Sequence, residues 1–90
     1  MMNEEEFISQ LLNVIKIISE HYEEFQVLVK PMGIDIRIDR DELDAEELQL
    51  LLSTVNEINR LGIEARLIVS AALEDGEPII RALISIIPKA

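Results

Sequence analysis

Residues 63–88 read IEARLIVSAALEDGEPIIRALISIIP, and this stretch decides the fold. Ile63, Ala65, Leu67, Val69, Ala71 and Leu73 alternate against Glu64, Arg66, Ile68, Ser70, Ala72 and Glu74, the period-two signature of a strand. Asp75-Gly76 follows, the pair best suited to a type I′ turn, where both central residues need positive φ. The return arm, Pro78 to Ile87, carries two apolar faces. Ile80, Ala82, Ile84 and Ile86 form one; Ile79, Leu83 and Ile87 form the other, interrupted by Arg81 and Ser85. Pro88 is placed to end the strand.

Working outward, Gly62 sits where a helix ends in a left-handed residue. The helix before it opens at Asp44, an N-cap with Glu47 three residues on in a capping-box pattern, and buries Leu48, Leu51, Leu52, Val55, Ile58 and Leu61. Upstream of the polar link 40–43, Phe25, Val27 and Val29 alternate, as do Ile34, Ile36 and Ile38. Lys30-Pro31-Met32-Gly33 joins these two short strands as a type I turn. From Glu4 to about Tyr22 the spacing predicts a helix with Asn3 as its N-cap and three acids in its first turn. Its expected core stripe is Phe7, Leu11, Ile15, Ile18 and Tyr22, with Ile8 and Leu12 beside it.

The order is therefore α-β-β-α-β-β in a single α+β domain spanning residues 1–90. A two-layer sandwich is expected, two helices on one face of a four-stranded, mainly antiparallel sheet. The expected strand order is 2-1-3-4, the second helix making a right-handed crossover. Order 1-2-4-3 is the alternative and would place the two-faced last strand centrally.

Composition narrows the function. Eight basic against eighteen acidic side chains leave a net charge of −10, which repels nucleic-acid backbones and anionic membranes and suits a basic protein partner or plain solubility. Cysteine is absent, so disulfides and thiolate chemistry are excluded. Met1 to Glu6 lacks the basic start of a signal peptide, and no apolar run approaches the roughly 20 residues of a membrane span. A soluble, cytoplasmic protein is expected.

His21 has Glu20, Glu23 and Glu24 beside it, but one imidazole without further fixed ligands reads as a surface histidine near a helix C-terminus. Asp35, Asp39, Asp41, Glu42, Asp44, Glu46 and Glu47 form the densest acidic stretch. It lacks calcium-loop spacing and is interrupted by Arg37 and Arg40. No serine or threonine sits in a nucleophile motif, and each glycine is explained by a turn. Neither an enzyme nor a cofactor or metal site is expected.

The signal left over is apolar surface. Val14 and Ile17 lie off the first helix's stripe and Leu50 off the second's; Ile68, Ala72, Ile79, Leu83 and Ile87 face away from the expected helices. The long hairpin's arms of about eleven residues also overhang the short hairpin's six by about 15 Å. Self-association covering Ile68, Ala72, Ile79, Leu83, Ile87, Ile17 and Val14 is the expected use, with a dimer favoured. The competing reading is a hairpin curled over so that one chain buries both its faces.

Asp44-Ala45-Glu46-Glu47, Leu61-Gly62-Ile63 and Asp75-Gly76 together make the chain resemble computationally designed, idealised α+β proteins. Few lysines, Asn56 and Asn59 inside a helix, and the outer apolar residues depart from that style. The resemblance implies a de novo scaffold made to assemble as a homo-oligomer, and agreement between caps, turns and period implies thermal resistance. The alternative is a natural acidic module that binds or blocks a basic, nucleic-acid-binding partner.

Overall fold

The computed structural model describes residues 4–87. In chain order the elements are α1 (Glu4–His21), β1 (Gln26–Lys30), β2 (Gly33–Arg40), α2 (Ala45–Asn59), β3 (Glu64–Glu74) and β4 (Glu77–Ile87). Asn3 and Pro88, read as a cap and a strand terminator, lie outside the described residues.

All strand pairs are antiparallel and the sheet order is β1-β2-β4-β3. The expected order 2-1-3-4 is thus wrong, and the alternative is right for a physical reason. β4 is apolar on both faces, so its burial is greatest at the centre, paired with β2 on one side and β3 on the other. Ile84 and Ile86 are completely buried there, beside Ile36 and Ile34 of β2. Each such side chain removed from water contributes about 1.5–3 kcal/mol.

The close approach of β2 and β4 depends on Gly33. A Cβ at this position would overlap the carbonyl oxygen of Ile86. The residue closes the β1–β2 turn opposite Lys30, as expected, but its φ is not positive. It is needed for space, not for turn geometry. Asp75 (φ 51°) and Gly76 (φ 79°) do form the mirror-image turn read from sequence. Gly62 is left-handed at 86°, and the Glu47 amide donates to Asp44 Oδ1 at 2.8 Å as the capping pattern implies.

The helices cover the face carrying Ile34, Ile36, Ile38, Ala65, Ala82, Ile84 and Ile86. They run antiparallel. Gln10 of α1 donates its side-chain N–H to the Leu61 carbonyl beyond the end of α2, while His21 lies 3.6 Å from Glu57. That neighbour turns α1 away from its expected orientation. Val14, read as surplus, is fully buried, and Ile17 packs against the core. Ile8 and Leu12, read as lying beside the buried stripe, are 50% and 67% exposed. The helix must bury both its sheet side and its α2 side, so the expected stripe, in which Leu11, Ile15, Ile18 and Tyr22 do meet the core, widens to take in Val14 and Ile17. Leu50 likewise packs on the core.

Gly33→Ala is expected to cost more stability than Gly76→Val. The first forces two central strands apart, about 2–4 kcal/mol; the second strains one turn, about 1–3 kcal/mol. Chemical denaturation of both variants checks the order, and a smaller loss for Gly33→Ala would contradict the close approach.

Candidate functional site

On the sheet face opposite the helices, register sets every neighbour. Asp39 on β2 lies across from Arg81 on β4 and two residues from Arg37 on its own strand. Arg81 Nε donates to Asp39 Oδ1 at 3.1 Å, and Arg37 Nε lies 3.3 Å from Oδ2. Hydrogen bonding to Asp39 raises the Arg81 pKa and keeps its guanidinium charged. Asp35, only 5% exposed, pairs with Lys30. Arg40 approaches Glu47, and Arg66 holds Glu64 at 2.7 Å. Asp35, Asp39 and Glu47 of the acidic stretch thus have cations of this chain beside them, and among the described residues no three His, Asp or Glu side chains gather at a possible metal position.

Glu74, near the tip of the long hairpin, lines one open hollow with Glu23, Glu24, Arg37 and Asp39. The hairpin therefore curls toward the face away from the helices. Ile79 is only 8% exposed, although it stands outside the main core cluster. The curled-hairpin reading describes this residue, and Ile79 does not belong to an accessible surface. Neither do Val14 and Ile17. Ile68, half exposed, sits beside Leu83, and Ala72 beside Ile79. Ile87 pairs with Glu64 at the opposite end of the ladder. Ala72, Leu83 and Ile87 are partly buried.

A second hollow, of about 180 Å³, opens between the end of α1, β2, β4 and α2. Tyr22 lines it with Arg40, whose guanidinium carbon stands 5.7 Å from the ring centroid. The Tyr22 hydroxyl is buried without a hydrogen-bond partner among the described residues. Burial raises its pKa; neighbouring Thr54 opposes the shift but donates its own hydroxyl to Leu50 O at 2.7 Å.

Most of the exposed large apolar side chains form two groups, one along each open edge of the sandwich on the helix side; Leu28 and Ile68 are exposed on the other face and Met32 in the β1–β2 turn. Because Gln10 and His21 face α2, Ile8 and Leu12 lie on the opposite side of α1, above the β1 edge with Val27 and Val29. Because Glu57 faces α1, Leu48 and Leu52 lie on the other flank, above β3 with Val69 and Leu73. Leu73 is 74% exposed, since the hairpin extends past the helices. Sequence reading placed the surplus at Val14, Ile17 and Leu50 and on the outer sheet face, where Ile68 is exposed, and counted Leu48 and Leu52 as buried; the exposed positions follow from the strand order and from how the helices lie side by side.

One residue at the β3 edge escaped the sequence reading. Asn59, at the end of α2, accepts from the Ala65 amide at 2.8 Å and donates to the Ala65 carbonyl at 3.2 Å. These two groups point outward from the edge strand. Asn59 thus occupies the place a neighbouring strand would take, and its departure from helix-forming composition was the only sequence signal.

No helix among the described residues is long and apolar enough to cross a membrane. Comparisons with protein-family models, curated proteins and solved structures gave no match.

Tyr22 is the only tyrosine, so its titration is directly readable. With the folded pKa raised, its contribution to stability is complete below the unfolded value of about 10 and is lost as pH rises through the folded value. Phenolate absorbance is expected to develop at higher pH in native than in denaturant-unfolded protein. Coincident curves would contradict the buried hydroxyl.

Proposed function

We propose that this chain is a non-catalytic scaffold domain that self-associates, built as a de novo homo-oligomer. The supporting observation is the distribution of exposed apolar side chains. Isolated surface leucines need no explanation, but here they line two open sheet edges, where unpaired backbone groups already invite another strand. A designed origin is supported by the agreement of the Asp44 cap, the left-handed Gly62 and the Asp75-Gly76 turn with idealised rules. The rival reading, an acidic surface for a basic partner, ranks behind it. Asp35, Asp39, Glu47 and Glu64 already have cations of this chain beside them.

Light scattering at tens of micromolar is expected to give a mass above the 10.2 kDa of one chain. Leu73→Lys, at a mostly exposed position, is expected to lower that mass while leaving the circular dichroism of the fold unchanged. A monomeric wild-type protein would contradict the proposal.

A further inference from the structure

We propose that two copies join edge to edge through β3, antiparallel about a two-fold axis at Ser70, giving one continuous eight-stranded sheet. The inference rests on the self-association reading and names its surface, register and symmetry.

The backbone defines the surface. Glu74 and Glu77 flank the two-residue turn and form its closing hydrogen-bonded pair, so the even-numbered residues of β3 bond to β4. The odd-numbered residues turn their N–H and C=O groups outward, as the Asn59–Ala65 bonds confirm. Asn59 occupies the edge at Ala65, which leaves Leu67, Val69, Ala71 and Leu73 as its open portion. The midpoint of that segment is Ser70.

Such an edge normally carries a blocking device: a proline, an inward charge, a bulge or a very short strand. β3 has none of these. Its register with β4 is unbroken over eleven residues, and its helix-side residues are all apolar. β1 is different. It is five residues long, ends at Lys30 and runs into Pro31. The β3 edge is the one left available.

The occupant follows from self-complementarity. A two-fold at Ser70 places Leu67 opposite Leu73 and Val69 opposite Ala71, each exchanging two backbone bonds with the second copy. On the other face Ile68 meets Ala72, and Arg66 meets Glu74. Arg66, which holds Glu64 of its own chain, faces the other copy's Glu74 as well in this register, so that the charges flanking the open segment are of opposite sign. Neighbouring registers fail. A two-fold at Val69 sets Glu64 against Glu74 and drives Leu73 onto the position held by Asn59. A two-fold at Ala71 sets Ile68 against Glu74 and Arg66 against Gly76. The Ser70 register also brings the exposed Leu73 beside the other copy's Leu67, on the side flanked by Leu48 and Leu52.

The absence of native cysteine makes the register testable by cross-linking. Ser70 and its copy form a non-hydrogen-bonded pair with Cα atoms about 4.5 Å apart, within disulfide range. Ser70→Cys is expected to give a covalent dimer under mild oxidation, whereas Ile68→Cys is not, its copies standing about 13 Å apart along the strand. Arg66→Glu and Glu74→Arg are each expected to weaken dimerisation about tenfold, through two symmetry-related pairs, and together to restore it. Dimeric protein in which Ser70→Cys links no better than Ile68→Cys, or in which the double reversal gives no rescue, would overturn this register while leaving self-association intact. A wild-type protein that stays monomeric at every concentration would overturn both.

Discussion

The structure depends on β4 being hydrogen-bonded along both edges. Its pairing with β2 brings Ile84 and Ile86 against Ile36 and Ile34 at the centre of the core, and Gly33 supplies the space for the approach. Pairing with β3 follows from the two-residue turn. Once β4 is central, β3 is an edge strand, and the hairpin tip extends beyond both β2 and the helices. The exposed leucines and valines beside β3 follow from that placement.

The two edges are managed differently. β1 is short and stops at a lysine and a proline, and its Lys30 pairs with Asp35 of the neighbouring β2. At β3 the chain uses a side chain of the helix above it. Asn59 satisfies both outward groups of Ala65, and the strand beyond stays unpaired. The opposite face is tied across strands by Arg37, Asp39 and Arg81, which leaves little uncompensated charge at the centre of the sheet. Of the clustered carboxylates in the stretch from Asp35 to Glu47, Asp35, Asp39 and Glu47 enter ion pairs within the chain and Asp44 caps α2.

Much of this was legible from the sequence because it is local. Strand parity, the Asp75-Gly76 turn, the Asp44 cap and the left-handed Gly62 between α2 and β3 each depend on residues within a few positions. Strand order was not legible by the same means: orders 2-1-3-4 and 1-2-4-3 present identical alternation, and only the two-sided burial of β4 separates them. The width of the α1 stripe was underestimated because α2 also packs on this helix, a neighbour the helix's own periodicity cannot locate, so Val14 and Ile17 were assigned to a surface although they pack in or against the core. Ile79 was assigned to a surface for another reason: it lies on the face away from the helices, where alternation does not show the curl of the hairpin. Ile68 and Ala72 do lie on the strand proposed to pair. Gly33 and Asn59 act through partners more than five residues away, so their types were visible and their roles were not.

The central claim, that β4 is doubly bonded and β3 is an open edge between Leu67 and Leu73, is tested most directly by residue-resolved amide hydrogen exchange at low and high protein concentration. In dilute protein, amides 80–86 of β4 are expected to be protected without interruption. Those of β3 are expected to alternate, with Arg66, Ile68, Ser70 and Ala72 slow and Leu67, Val69, Ala71 and Leu73 fast, while Ala65 is slowed by Asn59. At high concentration the fast set is expected to become slow, symmetrically about Ser70. Alternation in β4, or uniform protection of β3 that does not change with concentration, would contradict the account.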